Sequence, residues 1–193
     1  MEIWRMEKLI NLTTEPTTVV PGDRLRFELK GGEQAEAIAI RKEENGMLFI
    51  FTDCLRKEHR LHRPGKYPGW EESELRGVLN GEILQRFPER LRRSMVPFEN
   101  GDLLRIPTER EIFGENEYGE EEPESVQQFE CMKNRRNRIA FQGYNSNIWE
   151  FYWLQNRGVD SASNAAYVSW NGYANGRDAS YVLGVSPLFI ANL

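Results

Sequence analysis

The chain has 193 residues, a net charge of −5 at neutral pH, and 39% hydrophobic and 28% charged residues. This composition is typical of a folded globular protein rather than a disordered one, and the length predicts a single domain over residues 1–193. The negative charge argues against nucleic acid and against an anionic membrane surface as partners. No apolar run approaches the ~20 residues that a membrane span needs.

The ends of the chain and its cysteines bear on localisation. The N-terminal residues lack the apolar segment and the small-residue cleavage site of a secretory signal. Cys54 and Cys131 are far apart in the sequence and lie in no metal-binding or redox spacing. We expect two free thiols in a reducing compartment. The expected location is therefore cytoplasmic or virion-associated, and surface display by another route is an alternative.

The first quarter of the chain predicts strands. Residues 1–21 are interpreted as a lead-in that ends in a Pro-Gly turn. Leu25, Phe27 and Leu29 alternate with charged residues, which predicts a strand with one solvent-facing side. Two apolar runs flank the Asn-Gly pair within residues 43–46, and this pattern predicts a β-hairpin.

The middle of the chain predicts a loop and then a helix. Residues 53–69 are basic and rich in Pro and Gly, and we interpret them as a solvated loop. His59 and His62 have a spacing that metal ligands use, but no carboxylate or cysteine completes a set. From Trp70 onward, apolar residues at helical spacing predict an amphipathic helix that ends before a proline: Leu75, Val78, Leu79, Ile83 and Phe87.

A second helix carries a more specific signature. Residues 103–106 predict a short strand, after which Thr108 is placed as an N-cap, Glu111 completes a capping box and Gly114 ends the turn. Residues 115–125 contain six glutamates, so we interpret them as an acidic surface loop without a functional role. We expect a basic cluster to neutralise this loop in part: Lys133, Arg135, Arg136 and Arg138.

Residues 141–193 combine many aromatic residues with Asn, Ser, Gly and occasional Arg. Binding loops use this composition, because aromatic side chains supply contact area at low entropic cost and small polar residues supply adaptable hydrogen bonds. An aromatic-rich β core with ordinary glycine turns is the alternative, and composition leaves both open. Short strands are predicted at residues 151–154, 166–170, 181–183 and 188–191.

Strands, then helices, then many short strands predict the α+β class. The segment LLRIPTEREIF resembles the "LRLPTEAEW" segment of the formylglycine-generating-enzyme branch of the C-type-lectin fold, and LGVSPLFIA resembles its closing strand. The order of segments over residues 22–193 also resembles a bacterial and phage family related to that fold. The resemblance implies a C-type-lectin-like fold, with two helices, twisted antiparallel sheets and many short C-terminal strands and loops. Its ligand surface would lie in the C-terminal part.

Departures from that branch bear on chemistry. The oxidase branch binds copper through a pair of cysteines near its C-terminus, but this chain has no cysteine after Cys131. The calcium-binding lectins use carboxylates that the segment 170–172 lacks, and Asp160 and Asp178 form no recognisable oxygen cage. Ser186 stands where related sequences usually carry arginine. With no catalytic set in view, we expect no cofactor, no metal and no enzymatic activity.

Residues 141–193 also resemble the variable region of proteins that retroelements diversify. Those systems mutate adenines, so asparagine codons become codons for Tyr, Ser, Asp, Arg or Gly. The resemblance implies a binding protein for a protein or glycan ligand, for example on a host-cell surface. The predicted ligand-binding residues are Asn156, Arg157, Asp160, Asn164, Tyr167, Ser169, Trp170, Asn171, Tyr173, Asn175, Arg177, Asp178 and Tyr181.

The apolar residues between these positions are assigned to the scaffold: Trp149, Phe151, Trp153, Val168, Val182, Leu188 and Ile190. Two other functions remain open. The chain could be a structural virion or assembly component of the same fold, whose C-terminal region is a subunit interface. It could also be an oxidase-like enzyme of the formylglycine-generating branch. The oligomeric state is left open.

Overall fold

The computed structural model describes residues 9–10 and 18–193, so most of the predicted lead-in over residues 1–21 lies outside the described residues. The described chain consists mainly of strands with a few short helices, which confirms the α+β class. The strands are β1 (Leu9–Ile10), β2 (Arg24–Leu29), β3 (Glu33–Glu43), β4 (Gly46–Phe51), β5 (His59–Arg60), β6 (Met95–Val96), β7 (Ala140–Phe141), β8 (Trp149–Glu150), β9 (Tyr152–Arg157), β10 (Asn164–Val168), β11 (Ala174–Asp178), β12 (Val182–Leu183) and β13 (Leu188–Ala191). The α-helices are α1 (Glu74–Val78), α2 (Glu89–Ser94) and α3 (Glu109–Phe113).

The largest sheet has six strands in the order β1-β2-β3-β4-β13-β6. Strand β1 runs parallel to β2, and the other neighbours are antiparallel. The C-terminal strand β13 thus lies between β4 and β6. Strands β11, β10 and β9 form a second, three-stranded sheet, and β12 with β5 and β7 with β8 form two small ladders.

Two hydrophobic clusters lie on opposite sides of these sheets, so several strands are buried on both faces. In β4, Met47 and Phe49 pack in the first cluster, while Leu48 and Ile50 pack in the second. Strands β9, β10 and β13 divide their side chains between the two clusters in the same way. Burial on both faces explains why these strands appear in the sequence as continuous apolar runs rather than as alternating patterns.

The predicted helix from Trp70 onward is confirmed, although its hydrogen bonding is irregular. A 3₁₀ turn at Trp70–Glu72 precedes α1, and a π turn at Leu79–Ile83 and a 3₁₀ turn at Leu84–Arg86 follow it. Its apolar residues pack in the first cluster, with Val78 only partly buried. Phe87 follows the helix, and its ring lies 5.4–5.9 Å from those of three phenylalanines in the sheet: Phe27, Phe51 and Phe189.

The capping box is also confirmed. Thr108 Oγ1 accepts the N–H of Glu111 at 3.3 Å, and Glu111 Oε2 accepts the N–H of Thr108 at 3.0 Å. Gly114 ends α3 with a φ of 83°. Glu111 also accepts two hydrogen bonds from Arg105, at 2.7 and 2.6 Å. The motif therefore fixes α3 to the segment that precedes it.

The hairpin between β3 and β4 is confirmed, and Gly46 is the first residue of β4 rather than part of the turn. Glu43 pairs with Gly46, so Glu44 and Asn45 form the turn, and neither they nor Gly46 adopts a positive φ. A Cβ on Gly46 would lie 2.8 Å from the carbonyl oxygen of Ala191. Glycine is needed here because strand β13 passes too close for a side chain.

Two predictions for the middle of the chain are wrong. Residues 103–106 form no strand, only a single bridge between Arg105 and Leu188. The segment 53–69 is not a solvated loop, since several of its side chains are buried: Cys54, Leu55, Leu61, His62 and Tyr67. Burial of this segment follows from its position between the helix and the C-terminal strands, to which β5 is paired.

The two histidines have structural contacts rather than a shared ligand. His59 lies in β5, and His62 Nδ1 accepts the N–H of Glu74 at 3.3 Å at the start of α1. Within residues 9–10 and 18–193, no three His, Cys, Asp or Glu side chains come together as metal ligands would. Nor is any helix of this part of the chain long and apolar enough to span a bilayer. Both cysteines are free thiols, as predicted.

The C-terminal strands agree with the prediction apart from their ends and three omissions. Strand β13 coincides with the predicted residues 188–191, whereas β7, β8 and β11 were not predicted. The sequence of β11, Ala-Asn-Gly-Arg-Asp, lacks the apolar alternation that marks a strand. Ser186 is buried, and its hydroxyl donates to the carbonyl oxygen of Phe51 at 3.2 Å.

Gly46→Ala is expected to lower the free energy of unfolding by about 1–3 kcal/mol, because the new methyl group would displace β13 from β4. Gly77→Ala is the matched control, since Gly77 lies in α1 with nothing within 4 Å of a Cβ. Alanine there should instead stabilise the protein by about 0.5–1 kcal/mol. Urea denaturation of both variants measures the two values, and equal effects would contradict the close approach.

Candidate functional site

Three large aromatic side chains in the C-terminal region are exposed and lie on two neighbouring hairpins. Trp149, on β8, stacks on Trp170 with ring centroids 5.0 Å apart and an angle of 16° between the planes. Tyr173 lies at the other end of the same β10–β11 turn as Trp170. The exposed fractions are 58% for Trp149, 44% for Trp170 and 54% for Tyr173. We call these three residues the aromatic face.

The β10–β11 turn that carries two of these residues is held by its own hydrogen bonds. Ser169 is buried, its N–H donates to the carbonyl of Tyr173 at 2.8 Å, and its Oγ accepts the N–H of Tyr173 at 3.1 Å. Gly172 has a φ of 79°, and a Cβ there would lie 2.8 Å from the carbonyl oxygen of Arg135. Glycine is therefore required at this position, and the turn packs closely against Arg135.

Arginines lie against the exposed tyrosines. The Arg135 guanidinium lies 4.9 Å from the Tyr173 ring centroid and donates to the carbonyl of Asn171 at 2.8 Å. Arg177 lies 4.2 Å from the ring of Tyr181, which is 52% exposed. These cation–π contacts restrict the rings while leaving them accessible.

Asp178, one of the predicted ligand-binding residues, supports the next turn. Its Oδ1 accepts hydrogen bonds from the hydroxyl and the N–H of Ser180, at 2.6 and 2.9 Å. These hydrogen bonds lower the pKa of Asp178. The carboxylate is thus already engaged within its own turn.

The acidic loop is fastened to β9 through buried polar groups. Glu109 is fully buried, and its two carboxylate oxygens accept the N–H groups of Tyr118 at 3.0 Å and Gly119 at 2.8 Å. Asn156 Oδ1 accepts the N–H of Glu109 at 2.7 Å, and its Nδ2 donates to Glu122 Oε2 at 2.8 Å. A missing partner in this group would leave buried polar atoms unsatisfied, which is costly.

The acidic loop forms an ion pair with an arginine outside the basic cluster that was expected to neutralise it. Arg157 pairs with Glu120, whereas Lys133 in the predicted basic cluster pairs with Glu130. Arg138 lies 4.8 Å from the ring of Phe113 instead. The predicted site residues Asn156 and Arg157 therefore hold the acidic loop in place.

The structure separates the predicted ligand-binding residues by exposure. Asn156, Tyr167 and Ser169 lie in the interior and are not available at the surface. Tyr167 is buried because its ring packs against Trp153 and Phe151, at 6.3 and 5.9 Å. The exposed members are Asp160, Trp170, Tyr173, Asn175 and Tyr181, and the partly exposed ones are Arg157, Asn164, Asn171, Arg177 and Asp178.

The scaffold assignment is confirmed for some residues and wrong for others. Trp153, Val168 and Leu188 are fully buried, and Phe151 and Ile190 are partly buried. Trp149 and Val182 are exposed instead, at 58% and 56%. Successive side chains of a strand point to opposite faces, and in β8 and β12 it is Glu150 and Leu183 that are buried. A buried glutamate beside an exposed tryptophan reverses what hydrophobicity predicts.

Glu150 is a titratable group that the sequence did not reveal. It is 4% exposed, and its Oε1 accepts the N–H of Phe151 at 2.8 Å. Burial, together with the nearby Glu58 carboxylate, raises its pKa from 4.5 to about 7. Burial likewise raises the pKa of the adjacent Cys54 thiol well above its ordinary value. A Cβ on Gly184 would lie 2.4 Å from Glu150 Cγ, so this glycine closes tightly over the carboxyl group.

The raised pKa of Glu150 predicts a pH dependence of stability. Between pH 4.5 and about 7 Glu150 is protonated in the folded protein but ionised in the unfolded chain, so its contribution to stability falls as the pH rises through this window. Glu150→Gln should remove this contribution and be more stable than the wild type at pH 8 by up to about 3 kcal/mol, since each unit of pKa difference corresponds to about 1.4 kcal/mol. Urea denaturation across the pH range measures the effect, with Glu82→Gln at an exposed position as the control. Parallel profiles for wild type and Glu150→Gln would contradict it.

Comparison with known proteins gives a family. Residues 45–193 match the family model described as "Domain of unknown function (DUF6273)", which covers well over half of the chain and includes the aromatic face. No curated protein and no solved structure matches the chain. On the strength of the family match, the chain belongs to the DUF6273 family.

Proposed function

We propose that this chain is a non-enzymatic binding protein that presents the aromatic face to a protein or glycan ligand. The observation that carries the proposal is the stacked pair of Trp149 and Trp170, exposed next to a β core that buries Trp153 and Tyr167. Soluble proteins rarely expose clusters of large apolar side chains, and such clusters usually mark interaction sites. Tryptophan and tyrosine also dominate the residues that supply binding energy.

Rigidity supports the same proposal. The turn that carries Trp170 and Tyr173 is fixed by the hydrogen bonds of Ser169 and by the close packing of Gly172 against Arg135. A side chain that is already ordered loses little conformational entropy when a ligand binds. The face therefore combines large contact area with preorganisation, as mature binding surfaces do.

The scaffold we propose is a C-type-lectin-like fold. Three features of the structure support it: the closing strand β13 beside the early strand β4, the capping-box helix α3, and the short strands that precede β13. The segments that resemble that fold in sequence form two of these features. In this scaffold the ligand surface is built on C-terminal loops, where the aromatic face lies.

Retroelement diversification of the C-terminal region remains part of the proposal, and the structure narrows it. Asn156, Tyr167 and Ser169 are buried and hydrogen-bonded or packed, so substitutions there would disturb the fold. Asn175 and Tyr181 are exposed and outside the hydrophobic clusters, so substitutions there are expected to leave the core packing unchanged. Diversity is expected at exposed positions of this kind, on a host-facing surface of a bacterial or phage protein.

The proposal is tested by screening the purified protein against a panel of glycans and host-surface extracts. Trp170→Ala and Tyr173→Ala should each weaken the binding found by about 2 kcal/mol, roughly thirtyfold in affinity, with an unchanged circular dichroism spectrum. Val159→Ala is the control, because Val159 is 65% exposed and lies outside the aromatic face. Affinity that falls equally in the control would contradict the proposal.

An assembly role would give a different result. If residues 141–193 form a subunit interface, the wild type should self-associate and a Tyr173→Ala/Tyr181→Ala variant should be monomeric. Size-exclusion chromatography with light scattering distinguishes the two. Self-association lost in this variant, without ligand binding by the wild type, would favour a structural virion or assembly component.

A further inference from the structure

The charge around the aromatic face indicates the kind of partner that the face binds. Residues 131–149 and 161–177 build its two hairpins and the segment that leads into β7, and they contain five lysines and arginines and no acidic residue. These segments carry a charge of +5, so the rest of a chain whose net charge is −5 carries −10. We propose that the aromatic face binds an acidic segment of a partner protein. This partner class rests on the proposed binding function of the face.

Two arginines in this region carry charge that no carboxylate of the described chain neutralises. Lys133 pairs with Glu130, but Arg135 and Arg136 are exposed and form no ion pair with a described residue. The two arginines are neighbours in the 3₁₀ turn Arg135–Arg138, which directly precedes β7. Both can therefore bind a ligand carboxylate without the loss of an ion pair within the protein.

Arg135 lies directly against the aromatic face, and most of its hydrogen-bond donors remain unused. Its guanidinium lies 4.9 Å from the ring centroid of Tyr173, and its Nη1 donates to the carbonyl oxygen of Asn171 at 2.8 Å. A guanidinium has five N–H donors, and this one forms no other hydrogen bond with the described residues. The remaining donors suit a carboxylate, which arginine binds in a bidentate geometry.

The acidic residues that adjoin these segments in the sequence are engaged within the fold. Glu150 follows Trp149, but it is 4% exposed and its carboxyl group accepts a backbone N–H. Asp178 ends β11, and Ser180 donates two hydrogen bonds to its Oδ1. Neither carboxylate pairs with Arg135, so the charge of this arginine remains available to a ligand.

The residue types of the face favour a protein as the partner. Tryptophan, tyrosine and arginine are the types most enriched among the residues that dominate protein–protein binding energy, and the aromatic face with Arg135 combines all three. An acidic polypeptide supplies apolar side chains for the exposed rings and carboxylates for the arginines. A nucleic acid also supplies rings and negative charge, but its phosphates would extend beyond the face and be repelled by the −10 on the rest of the chain.

The test is the selection of peptides from a random library displayed on phage, with the purified protein as the target. Because the face is apolar and positively charged, peptides selected on the wild type should contain more aspartate, glutamate and large apolar residues than the unselected library. The selected peptides are then synthesised with a fluorescent label, and their affinities are measured by fluorescence anisotropy. Trp170→Ala should bind them about thirtyfold more weakly, as the proposed function requires.

Arg135→Gln/Arg136→Gln should weaken the binding of the selected peptides about tenfold, because it removes both unpaired charges. The glutamine amide can still donate to the carbonyl of Asn171, so the urea denaturation midpoint should be unchanged. The matched control is Lys42→Gln/Arg63→Gln, which removes the same charge from exposed positions outside the two hairpins, and its affinity should stay within about twofold of the wild type. Arg135→Lys/Arg136→Lys keeps the charge without the bidentate geometry and should lose less affinity than the glutamine variant.

The outcomes separate the partner class from the proposed function. Selected peptides without an excess of acidic residues, whose binding still needs Trp170, would overturn the acidic partner and leave the binding function intact. Equal affinity of Trp170→Ala and the wild type would contradict the binding function itself. Failure to select any peptide, equal loss of affinity in the glutamine variant and its control, or tighter binding of a single-stranded oligonucleotide would each overturn the acidic partner. Self-association that only the arginine variant loses would also overturn it, by assigning the face to a second copy of the chain.

Discussion

The insertion of the C-terminal strand between β4 and β6 is the constraint on which the rest of the structure depends. Strand β13 joins the last residues of the chain to the β3–β4 hairpin, and Phe189 lies against Phe49 in a stacked pair with centroids 5.2 Å apart. Gly46 permits this approach, and Leu188 extends the same strand into the second hydrophobic cluster. The segment of the chain between β6 and β13 therefore begins and ends in the same sheet. Loops positioned in this way can carry exposed functional residues without loss of the core.

Local signals in the sequence predicted the local parts of this structure. All three local features that the sequence predicted are present: the β3–β4 hairpin, the helix after Trp70 and the capping box of Thr108. Each depends on residues that are close to one another in the sequence. Long-range contacts decided the rest. Glu109 is buried because the acidic loop folds back over it, and the residues near Glu109 in the sequence do not predict this burial.

The candidate site shows the same limit more clearly. The region was identified from its composition, and Trp170, Tyr173 and Tyr181 are exposed as the binding interpretation needs. Hydrophobicity predicted that Trp149 would be a buried scaffold residue. In the short β7–β8 ladder, however, Trp149 is exposed and the next residue, Glu150, is buried. This orientation of β8 adds Trp149 to the aromatic face, and it also buries the carboxyl group of Glu150, whose pKa is therefore raised. Neither feature follows from residue type, because each depends on which side of β8 the core lies.

The central claim is that the aromatic residues of the C-terminal region divide into buried core residues and the exposed aromatic face. The most direct test is the free energy of unfolding of Trp149→Ala beside that of Trp153→Ala, both measured by urea denaturation. Because Trp149 is 58% exposed, its loss should cost about 1.5–2.5 kcal/mol, from the buried part of the ring and its stacking on Trp170, whereas loss of the fully buried Trp153 should cost about 3–5 kcal/mol. A cost for Trp149 as large as that for Trp153 would contradict the claim, since it would make Trp149 part of the core.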